Sequence, residues 1–136
     1  MRIVLDTTML FSLLLGKNLR MRDIFFDPAH QFYAPNFIVT EIFQKKEKIL
    51  RCSALSEEEV HELFHRLLSR ITFINEDVVS HEYKVQAYKL CCHVDGKDTP
   101  FIALALQLNV SVWTGDKRLK MALINQGFSQ FFEPTH

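Results

Sequence analysis

Apolar residues follow two rhythms along this chain, short unbroken runs and longer stretches with a helical period, and the two alternate. Ile3-Val4-Leu5 is a run of the first kind and predicts a buried strand over residues 2–5. Met9, Leu10, Leu13 and Leu14 follow at helical spacing, with Thr7 or Thr8 placed to cap that helix and Gly16 to stop it. Residues 19–26 read as a second helix, ending before Asp27-Pro28. Residues 31–34 predict the second strand, closed by Pro35, and a helix then runs to about Leu50. After a break at residues 53–56, Ser56 and Glu59 make a capping box for a helix carrying Val60, Leu63, Phe64 and Leu67. Residues 71–74 predict the third strand and residues 77–93 a long amphipathic helix. An acidic segment and a further helix start lead to the fourth strand at residues 110–114. Lys117 opens a short helix, and residues 128–132 form a last strand or an apolar tail. Strands alternating with helices predict the α/β class: one doubly wound domain over residues 1–136, its parallel sheet covered on both faces.

Composition narrows this little and excludes more. At 136 residues, 48% of them apolar and with four glycines and four prolines, the chain is a folded single domain and not a disordered one. Its formal net charge is zero, so no global basic field announces a nucleic-acid partner, and any such partner is held by local patches. Three cysteines, two of them adjacent, suit neither a disulfide framework nor a zinc knuckle and point to reduced thiols. Met1-Arg2 passes straight into a strand, and no apolar run approaches membrane-spanning length. A soluble, cytoplasmic protein without a signal peptide is the expectation.

The candidate chemistry lies in acids at the element junctions. Asp6 follows the first predicted strand, Asp116 follows the fourth by one glycine, and both fall at the sheet edge where open α/β folds place their sites. Asp98 precedes a helix start, Asp95 stands three residues before it, and Glu41 lies near the start of the helix after the second strand. Each also has an ordinary structural use: Asp6, Asp98 and Asp116 as helix N-caps, Glu41 as a helical partner of Lys45. Together they make a set of hard oxygen donors suited to one or two Mg²⁺ or Mn²⁺ ions, which can activate a water for attack on a phosphodiester. That chemistry requires no protein nucleophile.

Four segments, Ile3–Leu10, Val39–Ile42, Asp95–Ala105 and Val112–Leu119, carry a resemblance in order and spacing to the PIN-domain family, which includes the VapC toxin ribonucleases. The resemblance implies a three-layer α/β/α sandwich and a pocket lined by Asp6, Glu41, Asp98 and Asp116, with Asp95 beside it. It implies supporting hydroxyls at Thr7 and Thr114, and an RNA backbone held by Lys97, Lys117 and Arg118. It further implies a metal-dependent endoribonuclease that leaves a 5′-phosphate and a 3′-hydroxyl, forms a homodimer, and serves as the toxin neutralised by an antitoxin protein. Where many relatives have Asn or Ser, this chain has Thr8, whose hydroxyl can still hydrogen-bond.

Two other readings stand beside this one. A domain of the same fold can act as an RNA-binding or partner-docking module without catalysis. His61-Glu62-Leu63-Phe64-His65 matches the zinc-protease pattern on a predicted helix, although Leu68 and Ile71 stand where a longer form of that motif needs Gly and a third His. Phosphotransfer through Asp6 lacks its second acid, since Thr8 occupies that place, and no glycine-rich phosphate loop is present.

Overall fold

Four strands and eight α-helices alternate along residues 1–134, the part of the chain that the computed structural model describes. β1 (Arg2–Leu5), β2 (Gln31–Pro35), β3 (Ile71–Ile74) and β4 (Ser111–Trp113) form one parallel sheet in the order β3-β2-β1-β4. Val4 of β1 lies opposite Tyr33 on one side and Val112 on the other, and Ile3, Val4 and Leu5 are wholly buried. A strand covered on both faces requires such an unbroken apolar run.

Helices α1 (Thr7–Leu15), α3 (Phe37–Gln44), α4 (Lys46–Cys52) and α5 (Glu57–Arg70) pack together, and α5 reaches β3. α7 (Thr99–Leu108) lies across β1, β2 and β4 with α6 (His81–Cys91) packed on it. Phe101 to Ala105 are all buried because that helix is enclosed between the sheet and α6. With α2 (Leu19–Phe26) and α8 (Lys117–Asn125), the result is the three-layer α/β/α sandwich expected. Among the described residues no helix is long and apolar enough to cross a membrane.

The chain winds from β1 outward through β2 to β3, then returns past β1 to place β4 on the opposite side. The direction of winding therefore reverses between β1 and β4. The carboxyl ends of two strands at such a reversal open a crevice that is not filled by a crossing helix.

Of the caps that the sequence offered for α1, Asp6 forms it and Thr7 and Thr8 do not. Two helix bounds are corrected. The helix expected to run to Leu50 is broken at Lys45, whose φ of −98° and ψ of 7° leave the helical range and redirect α4 so that Ile49 is buried, with α4 packed on α1. The helix expected over residues 77–93 begins only at His81, after a short 3₁₀ turn at Glu76–Val78. Gln107 of α7 accepts from the Ser80 amide at 2.6 Å and donates to the Val78 carbonyl at 3.1 Å, which holds the intervening residues extended. Of the last strand or apolar tail expected over residues 128–132, the structure forms a tail tied to the sheet by a single parallel bridge, Phe131 to Val112. The Ser56–Glu59 capping box is present as expected, and Trp113 is buried in the core.

Gly16 ends α1 in the left-handed region at φ 69°, and a Cβ there would meet Leu55 Cγ at 2.7 Å. Ser53 Oγ donates to the carbonyls of Leu14 and Leu15, docking this connector on the end of α1. Gly16→Ala is therefore expected to destabilise the protein by about 1–3 kcal/mol in urea denaturation, since strained backbone and a displaced Leu55 add. A loss below about 0.3 kcal/mol would mean that the turn relaxes freely.

Candidate active site at the β1–β4 switch

Asp6 leaves β1 still paired to β4, its amide donating to the Trp113 carbonyl at 3.3 Å. Asp6 as a whole is only 2% exposed. Oδ1 accepts from the Met9 amide at 3.1 Å and from Thr8 Oγ1 at 2.7 Å, so one oxygen serves as the cap of α1. Oδ2 is buried and has no hydrogen-bond partner. A buried carboxylate oxygen without a donor is costly, and a cation is one of the few groups that offsets the cost. Burial raises the Asp6 pKa above its ordinary value and the charge of Asp116 raises it further, while the nearby Thr114 and Thr8 hydroxyls and the Met9 amide act in the opposite direction.

Thr8 ties the two strand ends together. Its hydroxyl, besides donating to Asp6, accepts from the Gly115 amide at 2.8 Å and lies 3.4 Å from Thr114 Oγ1. The approach is close enough that a Cβ on Gly115 would stand 3.3 Å from Thr8 Oγ1 and press on this hydroxyl. Thr114 Oγ1 accepts from the Asp116 amide at 3.0 Å, and Asp116 Oδ1 caps α8 through the Leu119 amide at 3.0 Å. Thr8 is the residue of this site that the sequence reading left out of its supporting set. Its place two residues after Asp6 was the available signal.

Glu41 sits on α3 and accepts a 2.5 Å hydrogen bond from Thr7 Oγ1 of α1. Among the described residues no ion pair joins it to Lys45. The start of α3 is held from a distance: Asn36 makes no side-chain cap, and Glu76 Oε1 instead accepts from the Phe37 amide at 2.5 Å. Nothing in the local sequence marked Glu76 for that task.

Asp98 differs from the two capping aspartates. It precedes α7 in helical backbone geometry and its side chain makes no cap hydrogen bond. Asp95 shapes the preceding turn, accepting from the Lys97 amide at 3.0 Å through Oδ1 and from the Asp98 amide through its carbonyl at 3.1 Å. Burial first, and then the charges of Asp6, Asp95, Asp116 and Glu41, together raise the Asp98 pKa from 3.8 to about 7. The structure thus brings all five acids into one electrostatic neighbourhood. Among the described residues no three His, Cys, Asp or Glu side chains stand close enough together to hold a metal ion directly. Carboxylates repel one another in the absence of a cation, and Mg²⁺ keeps several waters, so a cage of direct ligands is not a requirement. The orphaned Asp6 Oδ2, the raised Asp98 and an all-oxygen donor set fit a hard divalent ion.

Lys97, Lys117 and Arg118 are exposed on the turns that carry Asp98 and Asp116. His61 and His65 are not part of this arrangement: they line a separate groove beside α5. Cys91 is buried, and that burial raises its thiol to about 12, so it is an inert core group.

Residues 4–127 match a family model described as PIN domain. Among solved structures the chain is similar to the VapC20 toxin of Mycobacterium tuberculosis, described as cleaving the sarcin-ricin loop. The TM-score is 0.58 at 16% identity, over 88% of this chain and 94% of that one, a likeness of fold. No curated protein matches the sequence.

Proposed function

The chain belongs to the PIN-domain family, and on that footing we propose that it is a metal-dependent endoribonuclease hydrolysing RNA phosphodiester bonds. The observation that carries the reading is the convergence on Asp98: burial and four other carboxylates hold its pKa near neutrality beside the β1–β4 switch point. Structural aspartates seldom gather this way, whereas sites for divalent cations do.

Asp6, Glu41, Asp98 and Asp116 would hold one or two Mg²⁺ or Mn²⁺ ions, with Asp95 assisting. The ions supply water activation and neutralisation of the charge that develops on the attacked phosphate. The chain's own residues set the geometry. Asp6 and Asp116 each spend one oxygen on a helix cap, so their carboxylates are oriented before any ligand arrives. Thr7 aims Glu41, while Thr8 and Thr114 hold Asp6 and the turn to Asp116 in place. Lys97, Lys117 and Arg118, exposed at the rim, would hold the RNA backbone and supply the local positive charge that the neutral chain lacks overall. Homodimer formation and control by an antitoxin protein extend the same reading, as does a cytoplasmic setting.

The test is cleavage of a mixed-sequence labelled RNA and of a sarcin-ricin stem-loop in Mn²⁺, in Mg²⁺ and in EDTA. Cutting of either substrate that EDTA abolishes is the expected result. RNA bound but uncut in every metal would sink the nuclease and favour the docking-module reading.

A further inference from the structure

We propose that His61 and His65 form a second metal site, separate from the carboxylates, for a borderline divalent cation of the Zn²⁺ class. The two residues are four apart on α5, so they lie on one ridge of the helix, and both are exposed. Their ring centres are 4.8 Å apart. A Zn–N bond of about 2.0–2.1 Å places a metal about 3.2 Å from each imidazole centre, so two rings chelating at right-angle to tetrahedral geometry have centres about 4.5–5.2 Å apart. The observed separation falls inside that window. The rings meet at 80°, and the terminal torsion of each exposed side chain is soft, so the pair is free to adjust toward a shared ligand.

The surroundings leave room for a cation. The pair opens on a mostly apolar groove of about 770 Å³, whose charged lining is Lys46 together with Glu57 and Glu58, one turn toward the start of α5. Imidazole selects zinc, nickel or copper where the all-oxygen set at the β1–β4 switch selects magnesium or manganese, so the two sites divide metals by ligand chemistry. Among the described residues no third His, Cys, Asp or Glu completes the coordination. Water fills the remaining positions, and the pattern His61-Glu62-Leu63-Phe64-His65 is a binding site and not the centre of a zinc protease, which needs three protein ligands.

Isothermal titration of Zn²⁺ into untagged, chelator-stripped protein tests this, in the Asp98→Asn variant so that the carboxylate set is weakened. One equivalent is expected, and His61→Ala or His65→Ala should each weaken it at least tenfold. In the otherwise wild-type chain the same two substitutions should leave RNA cleavage in Mg²⁺ unchanged. Both positions are exposed, so unchanged melting temperatures should accompany the loss. Zinc binding that is equally strong in the His61→Ala/His65→Ala double variant would overturn the site, as would zinc that follows Asp98 and ignores both histidines.

Discussion

Asp98→Asn is expected to cut RNA at least 10²–10³-fold more slowly than the wild type in Mg²⁺ or Mn²⁺, while folding at least as stably. The two halves of this expectation have different origins. Loss of activity follows from removing one charge from a donor set that has to neutralise a divalent ion and a developing phosphate charge. Retained stability follows from what the side chain does not do: Asp98 makes no cap hydrogen bond, so no helix start depends on it. Relief from the charges of Asp6, Asp95, Asp116 and Glu41 adds to that. Discounted for the solvent that still reaches Asp98, the gain in metal-free protein is on the order of 1–2 kcal/mol. That corresponds to roughly 3–8 °C for a domain of this size. Cleavage assays and melting curves on the same preparation check both halves. A variant that unfolds would return Asp98 to a structural role, and a folded variant that still cuts would remove it from the site.

Metal and pH should act on stability in opposite directions. Asp98 titrates at about 7 in the folded chain against 3.8 for an ordinary aspartate, and Asp6 is shifted the same way. Between those two values the folded state binds more protons than the unfolded one, so the contribution of these groups to stability falls as pH rises. It is fully present below about pH 4 and lost by the time the pH has passed 7. A divalent cation favours the ionised form and displaces the protons, so its stabilising effect grows over that window. In EDTA the wild type should therefore melt several degrees below Asp98→Asn at pH 8, with the gap closing toward pH 5. Millimolar Mg²⁺ or Mn²⁺ should raise the wild-type melting temperature at pH 8 and do far less at pH 5 or in the variant. No cation effect at pH 8 would show that these carboxylates do not form a metal site.

The parts of the site that were legible beforehand share a property: each is set by a few neighbouring residues. Asp6 and Asp116 follow apolar strands immediately, and an aspartate between a strand and a helix has local work as a cap. The structure shows that cap and site are compatible, because the cap occupies Oδ1 and, in Asp6, leaves Oδ2 unpartnered. Sequence could name the two uses of each acid but could not show that one side chain performs both. Asp98 was readable as a helix start and turned out to have the one carboxylate of the three that makes no cap. What lay beyond reach was anything that spans the chain. Glu76 caps α3 across 39 residues, Gln107 of α7 holds Val79 and Ser80 extended, and Thr8 bonds Gly115 across 107 residues.

The sequence by itself determined the alternation of strands and helices, the capping box on α5, the stop at Gly16 and the order of the acids. Apolar periodicity and cap chemistry act between residues a few positions apart, and such signals survive without a fold. Tertiary structure decided the strand order that puts β4 beside β1, the break at Lys45 and the late start of α6. It also decided the charge state of the site. Desolvation and like-charge repulsion depend on what surrounds a carboxylate in space, so Asp98 acquires its shifted proton affinity only when the fold has brought the distant Asp6, Glu41 and Asp116 to it and its neighbour Asp95.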